Sequence, residues 1–163
     1  MSEALDSRAL RDAYGHHPSG VVFVGALVRG APCGLAASSF VPVSLDPPLV
    51  SICVQNTSTT WPRIAVSESL GISVLSDSHK DAIGTLSAKT GDRFVDVTIA
   101  TSDRGAIFVD GCGLWLEGSV DQTIDAGDHV IVIVRLKDII IRDGQASPMI
   151  FYRSACRELA AEI

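Results

Sequence analysis

The sequence predicts a mainly β protein, an antiparallel barrel with a few short flanking helices. Three observations lead to this fold class. Apolar runs of strand length recur along the chain and are separated by short turn segments. Segments with helical spacing are few and short. No internal repeat or linker-like change in composition interrupts the chain, so the strands are expected to form one barrel rather than a sheet of alternating β and α units.

The composition indicates one domain over residues 1–163. Of the 163 residues, 47% are hydrophobic and 20% are charged, which is enough apolar material for one well-buried core. The net charge of −6 argues against nucleic acid or an anionic membrane surface as the main partner. No uninterrupted apolar stretch reaches the roughly 20 residues of a membrane span, and the N-terminus lacks the basic region and apolar core of an export signal. We therefore expect a cytoplasmic protein.

The first elements are a helix and a hairpin. Apolar residues recur at helical spacing after Asp6-Ser7, and Gly15 ends the pattern, so we expect a short N-terminal helix that covers one end of the barrel. Two β-patterned segments, at 21–28 and 31–37, then flank the turn pair Arg29-Gly30. Two such strands around a two-residue turn predict a β-hairpin.

The middle of the chain alternates strands and short helices. A buried strand is predicted at 49–54, and a short helix is expected to begin at Trp61-Pro62, because proline is tolerated in the first turn. A further strand is predicted at 70–75. Ser78 is expected to cap a third helix, which Gly91-Asp92-Arg93-Phe94 terminates.

The second half of the chain is predicted to be largely β. Runs of β-branched and aromatic residues indicate its strands, and short loops such as Arg142-Asp143-Gly144 join them. The predicted strands are 107–109, 114–120, 129–136, 139–141 and 149–152. So many strands with so few helices favour an antiparallel barrel.

Most sequence signatures of common active sites are missing. The chain has no glycine-rich dinucleotide turn, no phosphate loop and no nucleophile elbow, so any nucleotide must be held in another way. His16-His17 lacks neighbouring metal ligands, and no metal site is predicted. The cysteines are widely separated without a C-x-x-C pair, which indicates buried free thiols. They are Cys33, Cys53, Cys112 and Cys156.

Two uncharged runs of small and hydroxylated residues stand out. Ala36-Ala37-Ser38-Ser39-Phe40 follows a strand, and Thr57-Ser58-Thr59-Thr60 precedes a helix. Small residues let a ligand approach backbone N–H groups, and a helix N-terminus attracts an anion such as phosphate. Together the two runs could hold a phosphorylated cofactor. Serine and threonine also supply ordinary turns and caps, and composition alone favours that second interpretation.

The order of short motifs along the chain gives a more specific hypothesis. The central motif runs from Ser38-Ser39-Phe40 to Asp46-Pro47-Pro48, within residues 34–50. The remaining blocks, in chain order, are Pro18 to Val22 before it and Asn56 to Trp61, Gly91 to Phe94, Gly127-Asp128-His129 and Pro148 to Arg153 after it. In this pattern the chain resembles the flavin reductase-like, FMN-binding split-barrel family, the small reductase components of two-component flavin-dependent monooxygenases. The resemblance covers nearly the whole chain.

This resemblance implies a fold, a reaction and partners. The fold would be an FMN-binding split β-barrel, an antiparallel Greek-key barrel that forms a homodimer with the flavin site near the interface. The reaction would be NAD(P)H:flavin oxidoreduction, with hydride transfer from NADH or NADPH to FMN or FAD. Such a transfer needs placement rather than a protein acid or nucleophile, because the cofactors carry the chemistry. Reduced flavin would then pass to a separate monooxygenase.

Two other functions remain open at this point. One is a non-catalytic flavin carrier or sensor on the same barrel, and the other is a split-barrel oxidase that acts directly on a small organic substrate. The motif residues His129 and Tyr152 argue against the carrier. The oxidase would need a pocket matched to the charge of its substrate, which the sequence does not identify.

The resemblance also assigns parts of the flavin to particular residues. Ala36, Ala37, Ser38 and Ser39 would face the ring, Val54, Gln55 and Asn56 the ring and ribityl chain, and Ser58, Thr59 and Thr60 the phosphate. Arg93 would add a cation that bridges phosphate oxygens, and the neighbouring Phe94 is assigned to the same cofactor site. The alternative for Arg93 is a surface ion pair with Asp92 or Asp96.

His129 is the predicted catalytic residue. On an apolar strand a lone histidine is more often a structural hydrogen-bonding group. The match to Gly127-Asp128-His129 instead implies a position beside the nicotinamide, where the imidazole would hydrogen-bond the carboxamide. Tyr152 and Arg153 would close the same site by the same resemblance.

Three positions depart from the family pattern. His17 stands where an apolar residue is usual, Gly71 where an aromatic residue is usual, and Ser87 near a usual Phe-Ala pair. These departures leave the expected fold intact, and they bear on which flavin and which nicotinamide are bound.

Overall fold

The computed structural model describes residues 5–142, 144 and 146–160, and strands dominate it. The expectations for residues 1–4 and for Asp143 lie outside the described residues. The helices are α1 (Ser7–Tyr14), α2 (Trp61–Ile64) and α3 (Ile83–Leu86), with a 3₁₀ turn at Asp77–His79. The strands are β1 (Ser19–Gly20), β2 (Val22–Val28), β3 (Ala31–Ala37), β4 (Val41–Leu45), β5 (Pro48–Gln55), β6 (Leu70–Val74), β7 (Ile99–Thr101), β8 (Ala106–Val109), β9 (Leu114–Ala126), β10 (His129–Ile141), β11 (Ile150–Tyr152) and β12 (Ala155–Arg157).

Most of these strands belong to one antiparallel sheet. Its order is β4-β5-β10-β9-β6-β2-β8-β7, with β3 paired to β2, while β1, β11 and β12 form a smaller sheet. All the strand pairs of the described residues are antiparallel. β2 pairs with β3 and also with β6 and then β8, so it is the central strand of the molecule. The prediction of a mainly β, antiparallel fold is therefore confirmed.

The hairpin predicted at Arg29-Gly30 is confirmed. The two residues have φ values of 52° and 78° and join β2 to β3. Positive φ at both positions is the geometry of a two-residue turn whose twist matches that of the flanking strands. The hairpin places the end of β3 at the rim of the barrel, where the candidate site lies.

The long strand β10 corrects one expectation. The sequence predicted two strands, 129–136 and 139–141, because the polar pair Lys137-Asp138 interrupts the apolar pattern. The structure has one continuous strand with register shifts after Ile133 and after Leu136. Such bulges absorb an extra residue while the pairing with β9 continues, so a local polar interruption does not end the strand.

The core consists of two clusters of buried side chains on opposite faces of β2. Because successive side chains of a strand point to opposite faces, Val22 and Val24 enter the first cluster and Phe23 enters the second. The first cluster also contains side chains from β5, β6, β9, β10 and α2. The second contains Leu86 of α3 and Met149. Coverage on both faces explains why β2 has a continuous apolar sequence.

Four strands were not predicted. β4 lies between the strands that were predicted at 31–37 and 49–54, and it pairs with β5 at the edge of the sheet with most of its residues exposed. Pro42 obscured its pattern, because proline occurs in sheets mainly at edges. The strands β1, β7 and β12 have two or three residues each, and an alternating sequence pattern cannot be recognised over so few residues.

The helix expected from Ser78 to Gly91 is wrong in its boundaries. A 3₁₀ turn comes first, in which the Ser76 N–H donates to Nδ1 of the buried His79 over 3.1 Å. His79 Nε2 donates to the carbonyl oxygen of Asp110 over 2.7 Å and thereby ties this turn to the end of β8. The helix α3 contains only four residues, since Ser87 already ends it.

The helix α1 has the predicted range, but it is not a packed lid. The Asp6 carboxylate caps it by accepting the Ala9 N–H over 2.7 Å. None of its residues is buried. Its C-terminal end is tethered by the Arg153 N–H, which donates to the Gly15 carbonyl over 2.9 Å. None of the helices in the described residues is long and apolar enough to cross a membrane.

Gly71, one of the three departures, has a packing explanation. A Cβ at this position would lie 2.1 Å from the carbonyl oxygen of Ile107 in β8. No side chain fits at that separation, so the close approach of β8 to β6 requires glycine. His17 is exposed, and nothing in the structure explains its departure.

Candidate functional site

A cavity of about 730 Å³ lies beside the ends of β3, β5 and β10. It brings together most of the predicted site residues, namely Ala36, Ala37, Ser38, Ser39, Val54, Gln55, Ser58, Thr59, Thr60, Arg93 and His129. Asn56, Phe94 and Tyr152 do not line it. Its volume lies within the range of roughly 300–1,000 Å³ that is usual for small-molecule sites.

The antiparallel pairing of β5 and β10 positions the two sides of this cavity. The last residue of β5, Gln55, is directly opposite the first residue of β10, His129. Residues 57–60 follow β5 and lead into α2. The sheet thus places two segments that are far apart in sequence at the same rim.

Ser39 joins two strands that do not pair in the sheet. Its hydroxyl accepts the Cys53 N–H over 2.9 Å and donates to the Cys53 carbonyl over 3.1 Å. These two bonds link the chain just after β3 to Cys53 of β5, where no backbone hydrogen bonds join the two strands. Because the hydroxyl is engaged with protein, a ligand would meet the backbone and the small side chains of Ala36, Ala37 and Ser38 here.

The hydroxylated turn before α2 is shaped by Ser58. Its hydroxyl accepts the Trp61 N–H over 3.1 Å, and its own N–H donates to the Gln55 carbonyl over 3.0 Å. Thr60 stands at the helix start but makes no side-chain cap. A helix of only four residues has a small dipole, so attraction of an anion to this end of the cavity depends mainly on charged side chains.

Arg93 holds two backbone segments together. Its Nε donates to the Ala88 carbonyl over 2.6 Å, and its Nη1 donates to the Gly34 carbonyl. The alternative of a surface ion pair is wrong, since Asp92 accepts the Phe94 N–H and Asp96 accepts the Thr85 hydroxyl instead. Arg93 therefore fixes the 88–93 segment against β3 and keeps only part of its guanidinium for a ligand.

The cavity is locally positive in an acidic protein. Its charged lining residues are Lys89 and Arg93, with His129 at the rim, and no carboxylate belongs to the lining that the structure describes. Lys89 is exposed and forms no hydrogen bond or ion pair with the described residues. Its ammonium group is therefore available to an anion in the cavity.

His129 is oriented by its neighbour in sequence. Its Nδ1 lies 2.7 Å from an oxygen of the Asp128 carboxylate. This hydrogen bond, together with the charge of the imidazole, lowers the pKa of Asp128 below its usual value, so the carboxylate is ionised at neutral pH. An ionised carboxylate only accepts, so Nδ1 carries the proton and a neutral imidazole presents Nε2 as an acceptor.

Asn56 supports the same turn from the opposite strand. Its side-chain Nδ2 donates to the Gly127 carbonyl over 3.1 Å, and its N–H donates to the Asp128 carbonyl over 2.9 Å. These bonds fix the turn that carries His129. In this chain the amide of Asn56 is thus occupied by protein rather than directed into the cavity.

Phe94 and Tyr152 lie away from the cavity of this chain. Phe94 packs edge-on against Phe23 in the second core cluster, with ring centroids 5.4 Å apart. Tyr152 is half-buried in β11 of the small sheet, and Arg153 follows it in a turn with φ of 50°. Their assignments to the cofactor site stay predictions.

Five residues that line the cavity were not among those assigned to the flavin from the sequence. They are Leu35, Cys53, Thr57, Ser87 and Lys89. Thr57 belongs to the hydroxylated run that was considered for a phosphorylated cofactor, and Leu35 and Cys53 adjoin assigned residues. Ser87 ends α3, where its hydroxyl donates to the Ile83 carbonyl over 2.5 Å. The basic residue Lys89 lies at the cavity because Arg93 bonds to the neighbouring Ala88 carbonyl and to Gly34 of β3.

The cysteines agree only partly with expectation. All four are free, and Cys33 and Cys112 are buried as predicted. Burial raises the pKa of the Cys112 thiol to about 12, so this thiol is unreactive at neutral pH. Cys53 is exposed and lines the cavity, which contradicts the prediction for that residue. No cluster of metal-ligating side chains is present among the residues that the structure describes.

Comparison with known proteins identifies relatives over most of the chain. The family model described as "Flavin reductase like domain" matches residues 14–160. A probable flavin reductase of Rhizobium meliloti (strain 1021) is 38% identical over 136 residues, which are 83% of this chain and 44% of that protein. A flavin reductase of Pseudomonas putida is 32% identical over 162 residues, or 99% of this chain and 95% of that protein. The chain thus spans less than half of the first relative and nearly all of the second.

Solved structures show the same architecture. Nitrilotriacetate monooxygenase component B from Mycobacterium thermoresistibile superposes with a TM-score of 0.91 at 28% identity, covering 98% of this chain and 89% of that chain. The NADH:FAD oxidoreductase of Streptomyces globisporus C-1027, solved in complex with NAD and FAD fragments, gives 0.89 at 27% identity and covers 99% of each chain. These similarities confirm the predicted split β-barrel.

The role of Arg93 as a bridge between backbone segments is testable without any ligand. We expect Arg93→Gln to lower the free energy of unfolding by about 1–3 kcal/mol, because the carbonyl groups of Ala88 and Gly34 lose a charged hydrogen-bond donor. Urea unfolding of the ligand-free protein measures this change, with Arg63→Gln, an exposed arginine of α2, as the control. An unchanged unfolding midpoint for Arg93→Gln would contradict the bridging role.

Proposed function

The chain belongs to the flavin reductase-like domain family and is an NAD(P)H-dependent flavin reductase. On this premise we propose that its reaction takes place in the cavity beside β3, β5 and β10. The flavin is FMN or FAD, and the reductant is NADH or NADPH. The observation that carries the proposal is the convergence of four separate segments on one cavity, namely 35–39, 53–60, 87–93 and His129. Residues 1–163 act as a single domain in this proposal.

The lining suits a ligand with a flat ring at one end and a phosphate at the other. Small side chains and exposed backbone on the 36–38 segment leave room for a ring, and hydroxyls and cations cluster around 58–60 and Lys89. When bound, the flavin supplies the hydride acceptor, so the protein needs no acid or nucleophile of its own. The chain contributes placement, which is worth about 7–11 kcal/mol for two well-oriented reactants.

Placement of the ring rests on the Ser39 bonds to Cys53. They fix the backbone of residues 36–39 relative to β5. Backbone N–H groups that are held rigid before the reaction can stabilise negative charge without having to reorganise. Ser39 is a positioning residue in this proposal, and the backbone beside it contacts the ring.

The phosphate end is assigned to Lys89 together with the hydroxyls of Thr59 and Thr60. Lys89 is the cation of the cavity that has no protein partner among the described residues. Arg93 keeps its remaining N–H groups for the same anion, but its main contribution is to hold Lys89 in place through the Ala88 carbonyl. This division of roles refines the expectation that Arg93 adds the cation that bridges phosphate oxygens.

His129 is assigned to the nicotinamide. Its Nδ1–H is bound to Asp128, and in the neutral imidazole Nε2 is the acceptor for the N–H₂ group of a carboxamide. Asp128 holds the imidazole directly, and Asn56 fixes the turn that carries it by donating to the Gly127 carbonyl. The arrangement orients the nicotinamide without requiring the histidine to exchange a proton.

Reduced flavin leaves the cavity for a separate flavin-dependent monooxygenase. This part of the proposal is supported by the relative that is itself a monooxygenase component. The reaction in this chain ends with reduced flavin, and oxygen chemistry on an organic substrate belongs to the partner. We place the protein in the cytoplasm, where a reducing environment preserves four free cysteines.

We also propose that the chain forms a homodimer through β4 and neighbouring surfaces. Val41, Val43 and Leu45 of β4 are at least half exposed, and Leu45 is 97% exposed. Exposed apolar side chains on an edge strand favour pairing with another chain. Because β4 follows directly on the 36–39 segment, such a dimer would lie beside the flavin cavity.

The dimer predicts a monomer-forming variant. We expect Leu45→Asp to shift the protein from dimer to monomer in sedimentation velocity, because a charge would be buried in the interface. Val66→Asp, which changes an exposed apolar residue after α2, serves as the control and should stay dimeric. A wild-type protein that sediments as a monomer at every concentration would rule out this dimer.

The reductase activity is tested with purified protein, NADH or NADPH, and FMN, FAD or riboflavin. Oxidation of the nicotinamide is followed by the loss of its absorbance. We expect His129→Ala to raise KM for the nicotinamide nucleotide about tenfold through loss of one hydrogen bond, with flavin affinity unchanged. His17→Ala, which changes an exposed histidine outside the cavity, is the control. Flavin binding without nicotinamide oxidation for any pair would favour the carrier instead.

Lys89 provides a separate test of how the flavin is oriented. We expect Lys89→Ala to weaken FMN binding about tenfold through the lost charge–phosphate contact and to leave riboflavin binding unchanged, since riboflavin lacks the phosphate. Fluorescence titration of both flavins against wild-type and variant protein measures the difference. Equal weakening for FMN and riboflavin would place Lys89 away from the phosphate.

A further inference from the structure

A second cavity, of about 440 Å³, lies at the other end of β10. Its lining comes from residues 100–104 around the end of β7, from Phe108 of β8, from Trp115 and Glu117 of β9, and from Asp138 and Ile140 of β10. His129 and Asp138 are nine residues apart on the same strand, which corresponds to roughly 30 Å. The two cavities share no lining residue, so the second one is a separate site.

The base of the second cavity is a buried carboxylate. Glu117 is only 4% exposed, and its polar contacts converge on one oxygen. Oε1 accepts the hydroxyls of Ser69 and Ser102 over 2.7 and 3.0 Å, and Nη1 of Arg104 lies 3.8 Å from it. The second oxygen, Oε2, has no hydrogen-bond partner among the described residues.

Oε2 is the oxygen of Glu117 that is open to a ligand. None of the fully buried side-chain oxygens and nitrogens in the described residues lacks a partner. The unpartnered Oε2 must therefore retain some exposure, and Glu117 lines the second cavity. A carboxylate oxygen that is almost buried but unpaired attracts a hydrogen-bond donor, because its desolvation is otherwise uncompensated.

The charges and the walls of the cavity determine which kind of hydrogen-bond donor can bind to Glu117. Asp103, Glu117 and Asp138 oppose the single cation Arg104, which is half exposed and only loosely paired with Glu117. The remaining wall is apolar, where Phe108 and Trp115 stack with centroids 4.9 Å apart. Trp115 is held in place by its Nε1–H, which donates to the Val109 carbonyl over 2.8 Å.

We propose that this cavity binds a small organic ammonium ion. Its nitrogen donates to Oε2 of Glu117, and its apolar body lies along Phe108, Trp115 and Ile140. Among the lining residues, three carboxylates face one guanidinium. The neighbouring Arg142, which stacks on Trp115, is itself paired with Asp110, so the lining favours a cation over a neutral or anionic ligand. A metal ion does not fit, because no group of three metal-ligating side chains is arranged for one in the described residues. The proposal is independent of the flavin reaction in the first cavity.

Benzylamine and benzyl alcohol form the matched pair of probes. Their bodies are the same, and only benzylamine is charged at neutral pH. We expect benzylamine to shift the Trp115 indole N–H and the amide signals of Ser102 and Glu117 in a saturable NMR titration. Benzyl alcohol should bind about tenfold more weakly, since it loses the charge-assisted hydrogen bond. Equal affinity for the two probes, no binding of benzylamine, or shifts confined to His129 and Ser58 would overturn the proposal.

Variants locate the interaction at Glu117. We expect Glu117→Gln to weaken benzylamine binding about tenfold and to leave benzyl alcohol binding unchanged, because only the charge is removed. Asp103→Asn, at an exposed position on the rim, should weaken benzylamine binding about twofold without affecting folding. Asp125→Asn, on β9 outside both cavities, is the control for a general loss of negative charge. If Glu117→Gln does not fold, an unchanged affinity in Asp103→Asn overturns the proposal.

Discussion

The bonds between the Ser39 hydroxyl and the Cys53 backbone are the constraint on which the first cavity depends. β3 pairs with β2, and β5 pairs with β4 and β10, so no backbone pairing joins β3 directly to β5. Ser39 closes this gap at one point, and Arg93 holds the 88–93 segment against β3 beside it. The space that remains between the bridged strands is the cavity. Side-chain bonds therefore set the separation of β3 from β5 at the cavity, while the pairing of β5 with β10 positions His129 beside it.

The distribution of charge divides the molecule into two different binding environments. The net charge of −6 would disfavour anions on average, yet Lys89 and Arg93 give the first cavity positive character. The second cavity has the opposite character, with Glu117 at its base. Charges a few ångströms away dominate over distant ones, because water and salt screen the latter. Net charge thus describes how the whole protein interacts with large surfaces, while each cavity follows its own lining.

Local sequence patterns predicted the elements that carry strong periodicity or clear turn chemistry. The β2–β3 hairpin, β5, β6 and the helix α1 follow from such signals. Failures occurred where pairing outweighed local preference. β4 contains proline yet extends along β5, and β10 continues through Lys137-Asp138 because β9 pairs along its whole length. In both cases the neighbouring strand supplies hydrogen bonds that the single-strand pattern does not reveal.

The sequence by itself determined the fold class, the flavin-reductase family and most of the residues that line the first cavity, because these depend on residue types and their order. Tertiary structure alone decided which groups remain available to a ligand. Arg93 bonds to Gly34 across 59 positions, and Asn56 bonds to Gly127 across 71. Those bonds turn two predicted ligand contacts into supports and make Lys89 the available cation. The physical reason is that a hydrogen-bonding side chain binds whichever partner the fold brings within about 3 Å, irrespective of separation along the chain.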